Sequence, residues 1–509
     1  MARSGIKLAP GTATRRVAVI AFIAVICLLD VGLSWAQDAS QQPTQQQTPA
    51  TSTAPPANPT PLGPVKPIGS EEQPVGTVEQ NSTTTGPPPD TRPLAGAQEL
   101  TPTLPGSGRS YLIPSFSVWE GADSNAQIAP GVTKYVAATI PVGSLDLSYS
   151  GKTNQFNLDY GGGGIIYNND FSESAAFQDA TITDFYNARR WNLLLMDRVT
   201  YLPQASLGFG GFGYAGAFNT AESLGLGSGV SQMSQIFVPG QSLLLGRVGS
   251  TSNNAVVQTQ YFLTPTTSVT GVASFGIQHY DQAGLASGNN RIFVGSIDHQ
   301  LTGTDTVSFA YDLIQYRYNG GSVAINDNVF QIGYAHRVTS RISVSVLGGP
   351  AVIYSAVTGI PGTQEKWNWV GQAQGAYRAE QGSFHVSYLH YQTPGSGLYQ
   401  GATTDTASAG FSRDLTRTWT ASLSLAYARN TALVAPSTSP SAASPGAIDY
   451  GTGTIRLDRT MGHYVKLFGV YAVQHQLSSP GVVAGYSGNK IFRQIFGIGI
   501  EMHPRPWGL

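Results

Sequence analysis

From about Gly108 to the C-terminus, apolar and polar positions alternate with a period of two over unusually long stretches. Between Thr418 and Ala428, one side carries Trp419, Ala421, Leu423, Leu425 and Tyr427, and the other Thr420, Ser422, Ser424 and Ala426. Residues 306–313 set Val307, Phe309, Tyr311 and Leu313 against Thr306, Ser308, Ala310 and Asp312. Residues 494–502 set Phe496, Ile498, Ile500 and Met502 against Ile495, Gly497, Gly499 and Glu501. Successive residues of a strand point to opposite faces, so each stretch predicts a β-strand with one apolar face. Helical spacing of three and four is absent from them.

Strand length then selects the architecture. Globular strands average about five or six residues, whereas membrane-spanning β-strands need roughly 9–11. Here the alternating segments are longer than globular strands. Short turns fall near Gly151-Lys152, Ala188-Arg189, Thr264-Pro265, Thr302-Gly303, Thr339-Ser340, Glu380-Gln381, Asp414-Thr416 and Thr460-Met461, and longer Gly-, Asn-, Ser- and Pro-rich connections lie between them. Alternating short and long connections, with both chain ends on the short side, predict an all-β, transmembrane, antiparallel up-and-down barrel of about 18 strands, from 111–120 to 489–502. The segments 111–120 and 176–187 carry the weakest alternation, and losing both gives 16 strands. An extra hairpin within 202–252 gives 20. Several turns recur about every 37 residues, a period that propeller blades also show. A blade, however, packs four short strands into such a period, not two long ones.

Composition agrees. Charged residues make up 11% of the chain, against roughly 25% in ordinary soluble domains. Lys and Arg (28) nearly balance Asp and Glu (29), for a formal charge of −1, and no basic stripe marks a nucleic-acid partner.

The N-terminus reads differently. Arg3, Lys7, Arg15 and Arg16 precede the apolar run from Val17 to Leu29, and Ser34-Trp35-Ala36 places small residues at the −3 and −1 positions before Gln37. This layout predicts a signal peptide over 1–36. Cys27, the one cysteine, lies inside the apolar run. Residues 37–107 are Pro-, Gln- and Thr-rich, with fifteen of the 31 prolines between 37 and 105. Such a segment buries too little apolar surface to order itself and predicts a disordered periplasmic linker. The barrel then occupies 108–509.

The longest connection, 202–252, is the third long one; it opens on Leu207-Gly-Phe-Gly-Gly-Phe-Gly-Tyr214 and carries only Glu222 and Arg247 as charges. In this layout the chain resembles the bacterial outer-membrane porins, though it carries no motif diagnostic of one porin. The resemblance implies a third loop folded inward to narrow the pore; a surface loop and an extra hairpin are the alternatives. It also implies a last strand ending on an aromatic residue, where this chain has Ile500 and Met502 before Pro504 and Pro506.

Charges on the polar faces of strands are the candidates for lumen or constriction residues: Asp146, Asp159, Arg198, Asp312, Arg456 and Asp458, with Glu222 and Arg247 in the loop. Structural ion pairing is the competing role for each. Aromatic residues near strand ends are candidates for the membrane-interface girdles: Trp191, Tyr201, Trp367, Trp369, Trp419 and Tyr427, together with Tyr280, Tyr316, Tyr318, Tyr391, Tyr450, Tyr464 and Tyr471. The histidines form no HExxH pair and the chain has no GxSxG elbow, so the reading is non-enzymatic, with no cofactor and no metal. The expected function is passive diffusion of small polar solutes across a bacterial outer membrane. A non-transporting barrel (adhesin, surface scaffold or secretion-complex port) and a secreted all-β binding protein are the alternatives. Outer-membrane lipid and the barrel-assembly machinery are the expected partners. Assembly as a homotrimer, and cell-wall or periplasmic contact through 37–107, stay open.

Overall fold

In the computed structural model the described residues are 110–502, apart from 152, 169–173, 203–247, 283–284, 320–322, 359–360, 396, 434–445 and 480–489, together with 504–505 and 507–508. The segments expected to be signal peptide (1–36) and linker (37–107) therefore lie outside the described residues, as does nearly all of 202–252.

The chain runs through β1 (Tyr111–Asp123), β2 (Val136–Ser150), β3 (Asn154–Tyr167), β4 (Ala175–Asn187), β5 (Trp191–Leu202) and β6 (Ser250–Thr264). Next come β7 (Thr267–Tyr280), β8 (Gly288–Gln300), β9 (Asp305–Tyr318), β10 (Val323–Arg337), β11 (Ile342–Val357) and β12 (Gln364–Ala379). The last are β13 (Gly382–Thr393), β14 (Ala402–Asp414), β15 (Trp419–Ala432), β16 (Ala447–Met461), β17 (Val465–Ser478), β18 (Lys490–Met502) and the two-residue β19 (Trp507–Gly508). Each of β1 to β17 pairs antiparallel with the next, and β1 pairs with β18 from Phe116↔Met502 to Asp123↔Ile495. This last ladder closes the sheet into an 18-strand barrel. Closure removes the two edge strands that an open sheet would carry, which is what permits a sheet to stand in lipid.

The two weakest predicted segments are both strands, β1 and β4. β18 ends at Met502, ahead of Pro504, but the chain does not leave the sheet for good. It returns to β1 at β19, with Leu112↔Trp507 and Tyr111↔Gly508. Pro504 lacks the N–H a ladder needs, and Trp507 stands 58% exposed beside β1.

Three short turns share one device. The Thr302 hydroxyl accepts the N–H groups of Thr304 and Asp305 (both 3.1 Å), Thr339 those of Arg341 and Ile342 (3.1 and 3.0 Å), and Thr416 those of Thr418 and Trp419 (3.3 and 3.1 Å). A side chain thereby satisfies the amides that a tight reversal leaves without a backbone partner.

Alternation sorts the two faces. The outer face exposes Ile182, Phe293, Phe309, Ile332, Val346, Ile455 and Ile498. The inner face buries Thr181, Gln258, Thr270, Ser274, Ser308, Thr454 and Gln474. It is not polar throughout: from β4 to β12 it also carries Leu194, Met196, Ile292, Ile325, Val329 and Ile353 in one apolar cluster.

Candidate functional site

The inner wall is the surface on which solute chemistry would act. The six candidate charges on strands all belong to its face. Asp146 and Asp159 sit directly opposite one another on β2 and β3. Arg198 on β5 holds Asp179 on β4 through Nε (3.0 Å) and Nη2 (2.7 Å), a two-pronged contact that fixes both groups. Asp312 on β9 accepts a hydrogen bond from the Gln331 amide of β10. Arg456 and Asp458, two apart on β16, bond side by side at 2.7 Å. Arg456 also reaches Glu501 of β18 at 3.2 Å and lies 4.3 Å above the Phe468 ring. Glu222 and Arg247 lie outside the described residues.

Sequence reading missed an ion pair as large as any of these. Arg493 on β18 is 2% exposed and holds Asp123 on β1, its Nε 3.0 and 3.1 Å from the two carboxylate oxygens. The partners are 370 positions apart and meet only because the barrel closes there. Alternation beside Ile491 and Ile495 was the available signal for Arg493, since it puts that residue on the inner face. Asp298 of β8 and Asp327 of β10 were also missed, and both are buried on the inner wall.

The aromatic candidates divide. Trp191, Trp367 and Trp369 are exposed on the outer face, and Tyr201, Trp419 and Tyr427 share that face by alternation. Trp191 packs on Tyr261 with ring centroids 4.5 Å apart, and Trp369 stacks on His390 at 4.0 Å. Tyr464, which bonds Arg505 at the short-turn end, and Tyr471 are likewise exposed. Tyr280, Tyr316, Tyr318 and Tyr450 point inward instead and are buried, and Tyr391 shares the inner face with its partner Thr404. Nearness to a strand end does not choose a face; parity does.

Three of those inward tyrosines, Tyr280, Tyr316 and Tyr318, explain the geometry of one mouth. The connection between β13 and β14, 394–401, folds inward as a strap. Tyr316 and Tyr318 of β9 donate their hydroxyls to the carbonyls of Gln392 (2.9 Å) and Pro394 (2.7 Å). The Ala286 amide, beyond β7, donates to the Gly397 carbonyl at 2.7 Å. Tyr399 donates to the Gly446 carbonyl at 2.9 Å and packs with Val248, Tyr280, Ala402, Ala432 and Ile448. Burial raises the pKa of the Tyr399 hydroxyl, which keeps it a donor. β7 and β13 are six places apart round the wall, so these contacts span the long-connection mouth. Gly395, Gly397 and Gly401 have φ of 91°, 78° and 87°, which side chains disfavour. A Cβ on Gly397 would also lie 2.8 Å from the Tyr280 ring.

Among the described residues no group of three or more His, Cys, Asp or Glu could hold a metal ion.

No protein-family model and no curated protein matches the chain. Solved structures do. One is Acinetobacter baumannii OccAB2, 9% identical over 79% of this chain and 98% of that one, with a TM-score of 0.37. A second is Pseudomonas aeruginosa OccK11 (OpdR), 12% identical over 78% and 96%, with a TM-score of 0.37. A third is the Pseudomonas aeruginosa siderophore receptor PirA, 8% identical over 77% and 80%, with a TM-score of 0.35.

Proposed function

We propose that the protein is a bacterial outer-membrane channel through which small polar solutes diffuse passively. The observation that supports this most is the closed 18-strand wall, apolar outside and carrying charged, amide and hydroxyl side chains among apolar ones inside. Barrels of roughly 16–18 strands are wide enough to enclose an aqueous path, whereas eight-stranded ones fill with side chains. The driving force is the solute gradient, and the residues of the inner wall set what passes. Short turns then face the periplasm and the strap lies at the extracellular mouth, after export by the N-terminal segment.

A second reading, a barrel without transport, draws on the strap, because a segment tied to β7, β9 and β16 covers part of the mouth. One experiment separates the two. Folded protein, identified by heat-modifiable migration and by its outer-membrane fraction, is added to planar bilayers. Stepwise conductance supports the channel; silent bilayers at every voltage support the barrel without transport.

A further inference from the structure

The inward carboxylates and cations are not matched. At mid-wall the inward cations among the described residues are Arg198, Arg456 and Arg493, and each is bound to a carboxylate. The other inward cations, Arg337, Lys366, Arg378 and Lys466, stand near strand ends. Among the described residues six inward carboxylates have no cation beside them: Asp146, Asp159, Asp298, Asp312, Asp327 and, at the exposed end of β14, Asp414. Four form two pairs. Asp146 faces Asp159 across β2 and β3, a separation of about 4.5–5.5 Å between Cβ atoms. Asp312 and Asp327 are diagonal neighbours across β9 and β10, at about 7–8 Å. The pairs stand seven strands apart one way round the barrel and eleven the other.

The second observation concerns what these carboxylates lack. Asp327 is 0% exposed and neither of its oxygens has a side-chain hydrogen-bond partner. One oxygen each of Asp159, Asp298 and Asp312 is also buried without a partner. A buried carboxylate without a donor is unfavourable by several kcal/mol unless a cation or a proton meets it. Like charges directly opposite in a sheet are unfavourable as well. Both costs are relieved by the same thing, a mobile positive charge in the lumen.

We propose that the lumen is a path for cations and cationic solutes, selected by two carboxylate pairs, Asp146/Asp159 and Asp312/Asp327. Rings of Asp or Glu favour cations because the local potential concentrates them and excludes anions. The paired arginines do not oppose this, since each is neutralised where it stands. The inference rests on the channel reading, and its test separates the two.

The test is the zero-current potential of the channel across a KCl gradient. The wild-type chain is compared with D146N/D159N, D312N/D327N, the quadruple variant, and D312E/D327E, with folding checked by heat-modifiable migration. The wild type should prefer K⁺ over Cl⁻ several-fold; each Asn pair should reduce that preference and the quadruple variant should nearly abolish it. The Glu variant should keep it. Mg²⁺ should lower K⁺ current in the wild type and do so less in the quadruple variant. Conductance without cation preference, or a preference unchanged in a folded, conducting quadruple variant, overturns the inference while leaving the channel intact. Absence of conductance in the folded wild type overturns the channel reading and this inference with it.

Discussion

Arg456 shows how single residues keep charge inside this wall. Its guanidinium is bonded to Asp458 and Glu501 and covered by Phe468, with side chains 14, 10 and 22% exposed for the three charged groups. Removing the cation leaves two adjacent carboxylates in a low-dielectric wall. Arg456→Ala should therefore destabilise the barrel by roughly 3–5 kcal/mol, read as a lower urea midpoint of the folded barrel. Arg456→Lys keeps the charge but loses the planar fork and should fall between. Arg341–Glu380, at a short turn with side chains 53 and 81% exposed, is the control; Glu380→Gln should shift stability by no more than about 1 kcal/mol. At this scale the sequence was partly legible. Arg456 and Asp458, two apart on one strand, announce their shared face. Glu501 does not announce itself as their third member, because it arrives on a strand 45 residues later. Asp123 and Arg493 were not legible as a pair at all, since nothing local links the first strand to the last.

Strands were the most legible elements, because their period of two runs on for many residues and needs no partner to be seen. Prolines inside them show the cost of a missing donor. The β10–β11 pairing skips from Val329↔Ala351 to Ile332↔Gly348, opposite Pro350. The β2–β3 pairing skips from Thr139↔Ile166 to Val142↔Gly163, beside Pro141. The connections were less legible. Length and glycine content drew attention to 202–252, yet the described segment that reaches into the mouth is the short 394–401. Its signal, glycines at 395, 397 and 401, is shared with many surface loops, and only the hydroxyls of Tyr316 and Tyr318 and the amide of Ala286 show where it is tied. Replacing 395–400 with a two-residue Asn-Gly turn should raise single-channel conductance. Unchanged conductance would show that the strap does not narrow the path. Deleting 207–248 in parallel asks the same of the third loop.

The whole molecule is constrained most at its outer surface. Ile332 is 63% exposed in the middle of β10, where a globular protein would seldom put an isoleucine in a row with Phe330, also exposed. Facing lipid, the position is favourable, and Ile332→Arg should cost about 2–4 kcal/mol by placing charge near mid-membrane. Refolding into vesicles and titrating with denaturant measures it; an unperturbed midpoint would mean that this face does not meet lipid. The sequence by itself determined the strand period, the two faces, the approximate number of strands and the side of the short turns. All are properties of residues close along the chain, where backbone geometry alone fixes which way each side chain points. Tertiary structure decided what closes the ring, which carboxylates find a cation, which tyrosines turn inward beneath a strap, and that Trp507 rejoins the sheet. Each depends on a register between distant strands, and a shift of two residues would leave every local pattern intact while exchanging every partner.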